Sequence, residues 1–204
     1  MAQLDFFYDL SSPWTYLAFN NVQSVIDETN AQVVWRPMLV GGVFNAVNPS
    51  VYSARENPFD PKVVHNFTWL HEWARLARLP LKFPTEYHPV KSVLAMRCCC
   101  VLEDDQERLQ RFTAAAFDAY FGEGRNIDDP EVLVSLATSI GLNGSAVVSQ
   151  TADQTIKDKL RANTDEAISR GAYGSPSMFV NEQLYFGNDQ LPLVAQALTA
   201  GSPS

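Results

Sequence analysis

The stretch LDFFYDLSSPWTYLAF, residues 4–19, decides the fold. Residues 4–9 are short, aromatic and apolar, and read as a strand buried on both faces of a sheet. Two serines and a proline stop that run. From Trp14 to Thr29 the apolar set Trp14, Leu17, Ala18, Val22, Val25 and Ile26 keeps helical spacing. Residues 32–37, QVVWRP, then read as a second strand. Strand, helix and strand within forty residues make a βαβ unit with parallel strands. The seam between its first strand and helix holds two hydroxyls, Ser11 and Ser12.

Downstream the pattern changes twice. Residues 38–61 read as a long loop punctuated by Gly41, Gly42, Asn48, Pro49, Pro58 and Pro61. Helical patterns follow at 62–78, 90–103, 106–121, 130–140, 143–149 and 151–171. Asp129 caps one of them, with Pro130 in its first turn, and Gly141 ends it. Two short strands, SMFV (177–180) and LYF (184–186), flank the tight connection NEQ and predict a hairpin. A last helix spans 189–199, and the tail GSPS (201–204) reads as frayed. Neither end can bury a sheet alone. Joined, they give a four-stranded mixed sheet with helices on both faces. The expected class is α/β, a thioredoxin-like fold with a large all-helical insertion. Residues 1–61 and 172–204 form the thioredoxin-like part and 62–171 the insertion.

Bulk properties narrow the function. The chain has 204 residues, 46% of them hydrophobic, enough to bury a core without metals or disulfides. Its 15 basic and 23 acidic residues leave a net charge of −8. That balance lacks the basic stripe a nucleic acid demands. No apolar run approaches the roughly 18 residues that span a bilayer, which argues against a membrane partner. MAQLDFFYDL does not read as a secretory signal and points to the cytoplasm. The three cysteines, Cys98, Cys99 and Cys100, are adjacent and splay about 100° apart on a helix. They cannot converge on one metal, so no metal is expected and they read as core fillers.

The seam carries the chemistry. Free N–H groups and the dipole make a helix N-terminus a place for an anion. Thiol-disulfide enzymes put a reactive Cys there. Here the tetrad is Ser12-Pro13-Trp14-Thr15, without sulfur. Two roles suit Ser12: a helix N-cap, or a hydroxyl facing a thiol that comes from outside.

Four collinear stretches give the chain a resemblance. FFYDLSSPWTYLAF resembles the opening of 2-hydroxychromene-2-carboxylate isomerases and kappa-class glutathione transferases, both DsbA-like. RPMLVGGVFNAVN (36–48), LPLKFP (79–84) with LAMR (94–97), and GAYGSPSMFVNEQLYFGNDQL (171–191) resemble later motifs of the same family. The resemblance implies glutathione as cofactor and Ser12 as the catalytic hydroxyl, donating to its sulfur. It implies a cis Ser175–Pro176 bond, with the Ser175 backbone N–H and C=O turned outward to pair with the cysteinyl unit as an added strand. Asn48 is implied as a further contact, and Asn188 and Asp189 as the γ-glutamyl end, where a carboxylate suits an ammonium group. Gln190 stands where the family usually has Arg. Lys62 matches a family lysine without joining the expected site. His65 and Trp69 stand where the family often has Tyr and Asp. Trp14 either covers an aromatic substrate or belongs to the core, while His71 and His88 read as structural or surface.

The implied activity is cis–trans isomerisation of 2-hydroxychromene-2-carboxylate or related unsaturated aromatic keto acids, in a homodimer. Two alternatives share these residues: a kappa-class transferase, and a non-catalytic glutathione- or peptide-binding module.

Overall fold

The computed structural model describes residues 2–52, 57 and 59–200. Strand β1 (Gln3–Tyr8) leads into helix α1 (Pro13–Thr29) and strand β2 (Gln32–Pro37). β1 and β2 are parallel, from Gln3 against Gln32 to Tyr8 against Pro37. Helix α2 (Val40–Val47) follows, then α3 (Pro61–Ala77), α4 (Val93–Leu102), α5 (Gln106–Phe117), α6 (Pro130–Ser139), α7 (Gly144–Gln150) and α8 (Gln154–Ser169). Strands β3 (Ser177–Val180) and β4 (Gln183–Phe186) form the hairpin, and α9 (Leu191–Ala200) closes the chain. The sheet order is β2-β1-β3-β4. β3 runs antiparallel to β1, with Leu4 opposite Val180 and Phe7 opposite Ser177.

Alternation along β1 sends its side chains to two cores. Leu4, Phe6 and Tyr8 join Trp35, Met178 and the buried faces of α1, α4 and α5. Phe7 points the other way, to Met38, Val43, Ala167, Ala172 and Phe179. Both faces of the sheet are therefore covered, which is why residues 4–8 are almost continuously apolar. Aromatic contacts tie α1 to the insertion: Tyr16 stacks on Phe121 at 5.4 Å, and Phe19 meets Phe117 at the same distance.

Residues 38–61 depart from the sequence reading. Residues 40–47 form helix α2, although glycines 41 and 42 signal a loop. Leu39, at its N-cap, makes no side-chain cap hydrogen bond. The cap comes from elsewhere in the chain: Asp9 Oδ2 accepts from the Val40 N–H at 2.8 Å, and Thr164 Oγ1 from the Leu39 N–H at 3.0 Å. Residues 53–56 and Pro58 of the expected loop, and the expected frayed tail 201–204, lie outside the described residues. A second departure concerns residues 118–121, expected to continue α5. They open a π-helical turn, Asp118–Glu123, closed by Gly124 at φ +80°.

The cysteines are buried and unpaired on α4. Burial pushes the Cys98 thiol up to about 12, and raises Cys99 and Cys100 further. Among the described residues no helix is long and apolar enough to cross a membrane, and no cluster of three or more His, Cys, Asp or Glu is placed to hold a metal.

Candidate active site

Ser12 caps α1 in extended conformation, with φ −94° and ψ 116°. Its Oγ accepts from the Thr15 N–H at 3.2 Å. The same hydroxyl donates to the Ser175 carbonyl at 2.9 Å, joining residues 163 apart in sequence. Ser11 is engaged differently: its N–H and hydroxyl both donate to Asp9 Oδ1, at 2.9 and 2.8 Å. The two serines of the seam thus do separate work.

Ser175 precedes Pro176 through a cis peptide bond, as expected. Its side chain is locked: Oγ accepts from the Asp9 N–H at 3.0 Å and shares a hydrogen bond with Thr15 Oγ1 at 2.7 Å. Ser175 is only 6% exposed, and its C=O accepts from the Ser12 hydroxyl. A carbonyl so placed needs a donor, and Ser12 is the one in reach.

These groups border a cleft of about 1020 Å³, lined by Ser12, Trp14, Asn48, Ser175, Pro176, Asn188 and Asp189 together. Every residue expected at the site therefore meets in one place. Asn48 ends α2 and donates to the Tyr173 carbonyl at 3.1 Å. Asn188 is buried and accepts from Asn21 at 2.8 Å. Asp189 is exposed, and no cation among the described residues pairs with it. Gly187 at φ +100° makes the turn that presents both. Gly174 is required for a different reason: a Cβ there would lie 2.6 Å from the Phe186 ring. Lys62 does not reach the cleft wall.

Trp14 lines the cleft and packs against Leu17, Leu70 and Ala74. Sequence reasoning missed the opposite wall, built by Trp69, Trp73 and Leu76 of α3 with Phe44 of α2 and Tyr173. Trp69 is 54% exposed and rests on His65 at 4.6 Å between ring centroids. His88, expected to be structural or surface, also borders the cleft, its ring 4.7 Å from Phe83. Two signals were available: Trp69 falls off the buried stripe of its helix, and Phe44 sits between the two glycines and Asn48.

A parallel β1–β2 pair, an antiparallel β3, and a cis-proline turn facing the first helix form one constellation. Residues 3–199 match the DSBA-like thioredoxin domain. The chain belongs to that family. Other members of similar length resemble it closely in extent. A 2-hydroxychromene-2-carboxylate isomerase from Sphingobium xenophagum is 27% identical over 195 residues, covering 96% of this chain and 97% of that protein. Glutathione S-transferase kappa 1 of Caenorhabditis elegans is 23% identical over 218 residues, covering 100% and 93%. In three dimensions this DSBA-like chain superposes on a solved 2-hydroxychromene-2-carboxylate isomerase with a TM-score of 0.82, at 22% identity and with 97% and 95% of the two chains covered.

Proposed function

We propose that the protein is a glutathione-dependent isomerase of 2-hydroxychromene-2-carboxylate-type aromatic catabolites. The observation that carries the reading is the Ser12 hydroxyl at the start of α1, 2.9 Å from the carbonyl before cis-Pro176, in a tetrad without sulfur. The relatives named above, an isomerase and a kappa transferase, support it.

The cleft suits glutathione. Its volume stands at the top of the usual range for small-molecule sites, leaving space for a tripeptide and a second reactant. Asp189 offers an exposed carboxylate to an ammonium group, and the Ser175 main chain offers an edge to an extended peptide. When bound, glutathione supplies a thiolate nucleophile that adds reversibly to a conjugated double bond and leaves unchanged after the bond has rotated. The chain's own groups do the rest. The Ser175 carbonyl would accept from the cofactor's cysteinyl N–H, and the Ser12 hydroxyl would donate to its sulfur, beside the positive end of α1. Trp14, Trp69 and Trp73 provide flat apolar walls that hold an aryl ring and shed water. A cytoplasmic homodimer handling small aromatic molecules completes the proposal, since a reducing compartment keeps such a thiol available.

Calorimetric titration with glutathione, followed by turnover of the chromene acid, tests it. Isomerised product with glutathione conserved is the expected result. Glutathione consumed as a conjugate reassigns the site to transfer, and binding without turnover of any electrophile reassigns it to a non-catalytic module.

A further inference from the structure

Asp9 lies at the end of β1, fully buried, and lines no part of the cleft. Three donors nevertheless converge on its carboxylate. Oδ1 takes the N–H and the hydroxyl of Ser11, and Oδ2 takes the N–H of Val40 at the start of α2. Its main chain is equally engaged: the N–H donates to Ser175 Oγ, and the C=O accepts from the Ser12 N–H at 3.2 Å. One residue thereby touches the serine turn, α2 and the cis-proline turn.

The donor set fits a charged acid. Two of the three donors are backbone N–H groups, which cannot reverse, and an ionised carboxylate has about four acceptor positions and no proton to place. An amide in its place would set its NH₂ against the Val40 N–H or the Ser11 N–H. The titratable side chain facing Asp9 is Cys99 of α4, a buried neutral thiol.

We infer that Asp9 is the positioning residue of the site: its ionised carboxylate commits the Ser11 hydroxyl and anchors α2 to the serine turn, so that Ser12 alone is left to serve the sulfur. α2 carries Val40, Phe44 and Asn48 to the cleft, so the same anchor sets one of its walls. The inference rests on the glutathione reading above, and its test separates the two.

The experiment is a double-mutant cycle of Asp9→Asn and Ser12→Ala, read by ultraviolet titration of the bound glutathione thiol. Ser12→Ala raises the thiol pKa in the wild-type background. In the Asp9→Asn background it is expected to do so far less, while glutathione binds about tenfold more weakly. An equal rise in both backgrounds overturns the inference, because a residue with only a structural role leaves that coupling untouched. Amide hydrogen exchange provides a readout without glutathione. Val40 should lose about tenfold or more of its protection in Asp9→Asn while Phe6 keeps its own, and an unchanged Val40 overturns the inference whether or not the tripeptide binds. Should Asp9→Asn fail to fold, Ser11→Ala strips the hydroxyl donor instead. The acid limb of Val40 protection then moves to higher pH, and an unmoved limb has the same overturning force.

Discussion

Replacing Ser12 by alanine separates two roles that the structure superimposes on one hydroxyl. As a cap, Ser12 accepts from the Thr15 N–H and donates to the Ser175 carbonyl. Losing the cap costs about 1 kcal/mol, and losing the neutral hydrogen bond about 0.5–1.5 kcal/mol more. For a chain of this size that lowers Tm by about 3–10 °C. The chemical role has its own magnitude. A hydrogen bond to a charged group contributes about 1.5–3 kcal/mol, but the Ser12 proton already holds a neutral bond that contributes about 0.5–1.5. The sulfur gains only the difference, about 1–1.5 kcal/mol, or about one pKa unit. Ser12→Ala should therefore raise the bound thiol's pKa by about one unit and slow turnover about tenfold where thiolate is scarce. Ultraviolet thiolate absorbance against pH, on the saturated complex, measures the first and steady-state kinetics the second. A lowered Tm with an unmoved thiol titration refutes the catalytic role and leaves Ser12 a cap.

Ser175→Ala strands two buried groups, the Asp9 N–H and the Thr15 hydroxyl, and should destabilise by about 2–4 kcal/mol in urea melts; a loss below about 0.5 kcal/mol would show that these groups find other partners. The three thiols should resist a disulfide reagent at mildly alkaline pH in the native protein and all react in denaturant, because burial holds each of them protonated; a fast-reacting native thiol contradicts the packing of α4. Burial raises the Asp9 carboxyl, against hydrogen bonds from Ser11 and Val40 that pull it back. Between its ordinary value of about 3.9 and the raised one, the native state keeps a proton that the unfolded chain has lost, so this group's contribution to stability declines as pH rises through that window and is flat above it. Urea melts of the wild type and Asp9→Asn across the window check the sign, and a difference that grows with pH is the wrong one.

The strands were legible to within a residue because β1 and β3 are mostly apolar and β2 is β-branched at its centre. The convergence of Ser12, Asn48, Ser175, Asn188 and Asp189 was legible only through motifs, since nothing local joins position 12 to position 175. Helix α2 was not legible at all. Its first residues are capped by Asp9 and Thr164, about thirty and more than a hundred residues away, so the glycines spoke louder than the cap. Asp9 itself looked like an ordinary strand end, and its partners Val40 and Ser175 come beside it only on folding. The aromatic wall was half visible. Trp73 kept the spacing of a buried stripe, whereas Trp69 signalled itself only by falling off that stripe.

The register of β1 has a consequence for how the chain is made. Its centre must wait for β3, because Leu4 pairs with Val180. At about 5–20 residues per second, translation leaves that strand's far edge open for roughly ten seconds or longer. During that interval a sequence as aromatic as LDFFY is an adhesive edge on a nascent chain, guarded on one side by β2. Its safe delivery depends on a chaperone or on the helices that emerge in between, so production in a cell should respond to holdase supply more steeply than the finished protein's stability would suggest.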